Sequence, residues 1–92
     1  MSGRPMFTIG DAVSDDDVRE LVRMLDNPEA AVRRASAEAI GRYTRPPYTA
    51  VARTAIPSLV LALHDGDQDV RQSAGQALKQ IDPKAAAKAG VN

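Results

Sequence analysis

Ninety-two residues are enough for one modest helical core, and the chain holds no cysteine, so disulfide staples and cysteine-ligated metals are excluded. Twelve basic and twelve acidic side chains balance to zero, and the aromatics are two tyrosines and one phenylalanine. That composition argues against a nucleic-acid binder, which needs basic excess and stacking aromatics, and leaves a core of Leu, Val, Ile and Ala.

Residues 1–13 read as a flexible tail or as an apolar flap in which Phe7 and Ile9 cover a core end. A first helix is expected from Ser14, whose hydroxyl can cap the chain while Asp17 reaches back in a capping box. Asp15, Asp16 and Asp17 then fall in the first turn, where the helix dipole favours carboxylates; no histidine stands near them to complete a metal site. Val18, Leu21, Val22 and Leu25 share one helical face.

The second helix is expected to be capped by Asn27 with Pro28 in its first turn, and to turn Val32, Ser36, Ala39, Ile40 and Tyr43 inward. The joint at 44–49 carries Arg45, Pro46, Pro47 and Tyr48. Consecutive prolines stop a helix there, and Tyr48 beside Arg45 on stiff backbone has the composition of an interface anchor. In the alternative reading Tyr48 merely covers the joint and Tyr43 is core.

A third helix is expected to begin within Thr49–Thr54 and to run through Leu63, starting late or bending at Pro57. His64 ends it, with no nucleophile beside it. The run Asp65-Gly66-Asp67-Gln68-Asp69 resembles the opening of a calcium loop. Val70 and Gln76, however, occupy the sixth and twelfth positions, where glycine and glutamate are required, so helix capping is the expected role. A fourth helix follows near Asp67 to Ile81, and after Asp82-Pro83 a short alanine-rich helix stops at Gly90.

The order conceals a repetition. Leu21 to Tyr43 returns 38 residues later, without a gap, as Leu59 to Ile81, with Leu21, Leu25, Val32, Arg33 and Ala39 among the identities. A helical hairpin recurring at such a period is a solenoid unit. The paired Arg33 and Arg71 are expected to bridge to an acidic residue of an adjoining turn. The units are 14–43 and 50–81, with 82–92 as a terminal cap, all within a single domain.

The phrases AAVRRASAEAIGRY and AIPSLVLALHDGDQDVRQSAGQALKQI resemble HEAT repeats, in particular the short bacterial subtype also found in phycobilin lyases. The marks are Pro57 near the start of the first helix, a turn-forming break, the Val-Arg pair opening the second helix and the small residues along it. The first copy departs from them, with Arg19 in place of the proline, so its first helix should be straighter or begin differently. The resemblance implies an all-α, right-handed α-α superhelix of two hairpins plus a short C-terminal helix. It also implies a concave face made by the second helices, placing Arg34, Arg42, Gln72, Gln76 and Lys79 toward a ligand.

Charge is uneven along the chain: residues 1–30 sum to minus four, 31–60 to plus four, and the remainder to zero. This suits self-association or a partner of mixed charge. No nucleophile with a base, phosphate loop or zinc spacing is present, and no cofactor is expected. The expected function is therefore a non-catalytic protein-binding or scaffold module. Its partner-binding residues would be Arg34, Arg42, Arg45, Tyr48, Gln72, Gln76 and Lys79. Alternatives are a basic concave patch for nucleic acid, through Arg34, Arg42, Arg45 and Lys79, or an accessory subunit of a bilin lyase-like enzyme. Without a signal core or an apolar run near the roughly 20 residues of a membrane span, a cytoplasmic location is expected.

Overall fold

The computed structural model describes residues 14–91, so the expected tail or flap with Phe7 and Ile9 lies outside the described residues. Helix α1 (Asp15–Met24) opens with the capping box its sequence promises: the Asp17 amide donates to Ser14 Oγ at 3.2 Å and the Ser14 amide to Asp17 Oδ2 at 3.1 Å. Asp16 pairs with Arg19 one turn on. Asp17 and Asp16 thus have partners at the helix start, and Asp15 shares the first turn with them.

Helix α2 (Ala30–Arg42) begins later than expected, and neither Asn27 nor Pro28 belongs to its first turn. Asn27 Oδ1 instead accepts the Glu29 amide at 2.9 Å, closing a side-chain turn that carries the chain past Pro28 before the helix starts. The carbonyls of Asn27 and Pro28 are also engaged, by Arg33 Nη1 at 2.7 and 2.9 Å. In the second copy Asp65 Oδ1 accepts the Asp67 amide in the same way, and α5 (Gln68–Ile81) follows, capped by the Asp67 carboxylate. The side-chain turn is shared, but only α5 has a side-chain cap; Glu29 makes none for α2.

Pro57 divides the expected third helix. Its ring conflicts with the carbonyl four residues earlier and it has no amide to donate. That earlier residue is Arg53, where α3 (Thr49–Arg53) ends; α4 (Ile56–Ala62) starts with Pro57 in its first turn. The first copy has Arg19 at the equivalent place, and α1 is unbroken.

Helix α6 (Pro83–Lys88) is capped by Asp82, whose Oδ1 accepts the Lys84 and Ala85 amides. These bonds hold the Asp82 carboxyl below its usual range, the Ala85 amide first and the Arg53 guanidinium at 3.1 Å assisting. Gly90 turns the chain at φ +91°, a conformation L side chains rarely adopt, while the Val91 amide returns to the Ala86 carbonyl at 2.9 Å. This seats Val91 over Gly75, about 3.4 Å from where a Cβ would stand.

The hairpins α1–α2 and α4–α5 lie side by side, with α2 against α5, α1 against α3, and α6 closing on α5. Val18, Ile40, Leu59, Val70 and Leu78 are fully buried, joined by alanines at 37, 52, 55, 62, 74, 77 and 86. An alanine-rich core forces backbones together. The largest polar stitch joins the two hairpin turns: Arg33 Nε and Nη2 donate to the two Asp65 carboxylate oxygens at 2.8 and 3.0 Å. Arg71 makes half of this pattern, donating through Nη1 to the Asp65 carbonyl at 2.7 Å. The expected bridge to an acidic side chain therefore holds for Arg33, whereas Arg71 reaches main chain.

Arg33 and the Asp67 amide hold the Asp65 carboxyl below its ordinary range. A depressed folded pKa contributes stability above the unfolded value of about 4, and that contribution is lost as pH falls toward the depressed value. Between about pH 5 and pH 2 the melting temperature Tm of the native chain should fall more steeply than that of Asp65→Asn. Parallel slopes in scanning calorimetry would contradict this role. Deleting residues 82–92 should lower Tm at neutral pH, because Ala86 and Val91 leave the core; an unchanged value would remove the cap assignment.

Candidate functional site

The seam between α2 and α5 opens into a cleft of about 520 Å³. Its floor is made of the small residues Ala37, Gly41, Ser73 and Ala77. A Cβ on Gly41 would stand 3.2 Å from the Ala77 Cα and 3.1 Å from Gln80 Oε1, so glycine permits the approach of the two helices. One wall carries Arg34, Glu38 and Arg42 at four-residue steps along α2; the other carries Asp69, Gln72, Gln76 and Gln80 along α5. The 38-residue offset sets Arg34, Glu38 and Arg42 in register with Gln72, Gln76 and Gln80.

Arg34 Nη1 lies 3.8 Å from Glu38 Oε2, and the Ser73 hydroxyl donates to the same oxygen at 3.4 Å. Both charges of the pair are half exposed, so the pair adds little to stability but cancels its own field. Among the described residues, Arg42 and Asp69 enter no ion pair. Asp69 stands in the first turn of α5 and Arg42 in the last turn of α2, each opposing its helix dipole.

Of the residues expected to bind a partner, Arg34, Arg42, Gln72 and Gln76 are brought together here. Lys79 is outside this cleft and lines a smaller one of about 220 Å³ with Leu63, Arg71 and Val91, which Gln72 and Gln76 also border. Arg45 and Tyr48 are not in the cleft. They belong to the joint, where the Tyr48 amide donates to the Arg45 carbonyl at 2.8 Å and the half-buried Tyr43 and Tyr48 rings meet edge to face at 5.5 Å. Tyr48 packs on its neighbour and Arg45 is exposed. Sequence reasoning missed Glu38, Asp69, Ser73 and Gln80; applying the repeat offset to Arg42 would have found Gln80.

The described residues contain no group of three or more His, Cys, Asp or Glu placed to hold a metal ion. His64 is exposed beyond the end of α4. No helix among them is long and apolar enough to cross a membrane.

The model of the family described as HEAT repeats matches residues 7–79, which takes in the first hairpin and all but the last two residues of the second. The chain belongs to the HEAT repeat family. No curated protein and no solved structure gives a match. HEAT repeats generally serve protein–protein interaction or scaffolding, and the family is typically non-catalytic. In this HEAT domain the cleft lies between the second helices of successive repeats.

Two glycines with opposite surroundings test the packing beneath the cleft. Gly75→Ala adds a methyl in ordinary contact with Val91 and gains helix propensity of about 1 kcal/mol, so Tm should rise by several degrees. Gly41→Ala meets the Ala77 backbone and should lower Tm despite the same gain. Thermal unfolding of both variants checks the contrast, and a stabilised Gly41→Ala chain would show that α2 and α5 can separate freely.

Proposed function

We propose that this HEAT domain binds a protein partner in the cleft between α2 and α5. The observation that carries this reading is the arrangement of two polar walls over a floor of small side chains, one wall ionic and the other made of three amides with Asp69 at its end. Such a surface can pair donors and acceptors with a polypeptide, and the described residues hold no metal-ligand set there. The charges along it balance, Arg34 and Arg42 against Glu38 and Asp69, which disfavours a phosphate backbone. Tyr43 and Tyr48 meet edge to face at the joint, outside the cleft, and so offer no stacking platform for bases within it.

The test is affinity capture from lysate of the source cell with the native chain and with Arg34→Glu/Arg42→Glu, analysing both protein and nucleic acid retained. Both arginines are exposed, so the double variant should keep its helical circular dichroism. A retained protein that the double variant loses is the expected result. Nucleic acid retained in a salt-sensitive manner would favour the basic-patch alternative, and unchanged protein capture would move the working surface to the joint or to self-association.

A further inference from the structure

We infer that the occupant of the cleft is an extended peptide segment carrying a basic side chain and an acidic side chain five residues apart. This rests on the cleft being the partner site. The first observation is which charges remain after internal pairing: Arg34 and Glu38 answer each other, leaving Asp69 and Arg42. The second is their separation. Arg42 is level with Gln80 through the repeat offset, and Gln80 lies eleven residues beyond Asp69 on α5. At about 1.5 Å per residue the two charges stand roughly 16 Å apart along the helices. An extended chain covers that distance in about five residues at about 3.3 Å each.

The amide wall agrees with the same geometry. Gln72, Gln76 and Gln80 step along α5 by four residues, about 6 Å. Main-chain groups on one edge of an extended chain recur every two residues, at about 6.6 Å. Each glutamine amide offers a donor and an acceptor and can therefore meet one peptide unit in turn. A helical occupant would satisfy its main chain internally and leave these amides only side chains to bind. Cationic and anionic ends opposite Asp69 and Arg42 fix the direction in which the segment lies.

The test uses capped peptides titrated into the ¹⁵N-labelled full chain. The first is Lys-Thr-Ser-Thr-Ser-Glu; the second is its isomer with Lys and Glu adjacent at the centre; the third has Lys in place of the final Glu. The fourth is an alanine-rich helix former with Lys and Glu eleven residues apart. The first should move the side-chain amide resonances of Gln72, Gln76 and Gln80 and bind about fivefold or more tighter than the second, since both end charges engage at once. Arg42→Glu should reverse the preference between the first and third peptides, and Asp69→Asn should weaken the first.

Equal binding of the first two peptides, no binding of the first, tighter binding of the helical peptide, or an Arg42→Glu chain indifferent to the swap would each overturn the inference. If lysate capture still depends on Arg34 and Arg42 while the peptides fail in these ways, the cleft keeps its protein partner and the extended occupant falls alone.

Discussion

How closely α2 and α5 can approach governs the rest of this molecule. Gly41 has no Cβ, and the space one would need is taken by Ala77 and Gln80. Ala37, Ala74 and Ala77 continue the seam, all buried. Short side chains bury little apolar area singly, so the gain comes from dispersion contacts between backbones drawn close. The close approach also leaves the cleft floor flat and small. Large residues there would have filled the cleft and separated the repeats.

With such a lean core, polar stitches at the ends of the helices become important. Arg33 donates four hydrogen bonds at one junction: its guanidinium reaches two carbonyls of its own turn and both carboxylate oxygens of Asp65 in the next. The planar fork is what makes this possible, and a lysine could not reproduce it. Both side chains are largely shielded from water, so the pair is less screened than the exposed Arg19–Asp16 and Arg23–Glu20 pairs. Arg71 repeats the carbonyl half of the pattern. A carboxylate from a following turn would complete it, which is how Asp65 serves Arg33.

Most of the fold was legible because its signals are local. Ser14 with Asp17, Pro57 with the carbonyl of Arg53, and Asp82 before Pro83 each act within four residues, and each determines a helix end. The start of α2 was misread for a local reason as well: Asn27 has a capping residue's chemistry but spends it on the Glu29 amide. The cleft was harder to read. Helical periodicity finds the face that packs beneath a helix, so Ile40 was recovered, but it does not reveal which residues of a parallel neighbour lie opposite. The 38-residue offset supplies that register for the walls as it does for the core positions. The Arg45 and Tyr48 assignments rested on composition, and composition carries no position.

The two copies divide their residues by role. Leu21 and Leu59, Leu25 and Leu63, Val32 and Val70, and Ala39 and Ala77 agree; both leucine pairs pack in or against the core, while of the other two pairs Val70 and Ala77 are core and Val32 and Ala39 are only half-buried. The cleft-lining positions that correspond through the repeat offset differ: Arg34 with Gln72, Glu38 with Gln76, Arg42 with Gln80. Had both copies kept the α2 set, two arginines would have met at each end of the cleft and two glutamates at its middle. Like charges at that distance repel, and they would have opposed the approach that Gly41 permits. Glutamines along α5 remove the conflict while keeping donors and acceptors in register. The same substitution that lets the helices close therefore leaves one ionic wall facing one amide wall, and that asymmetry makes the cleft a directional surface.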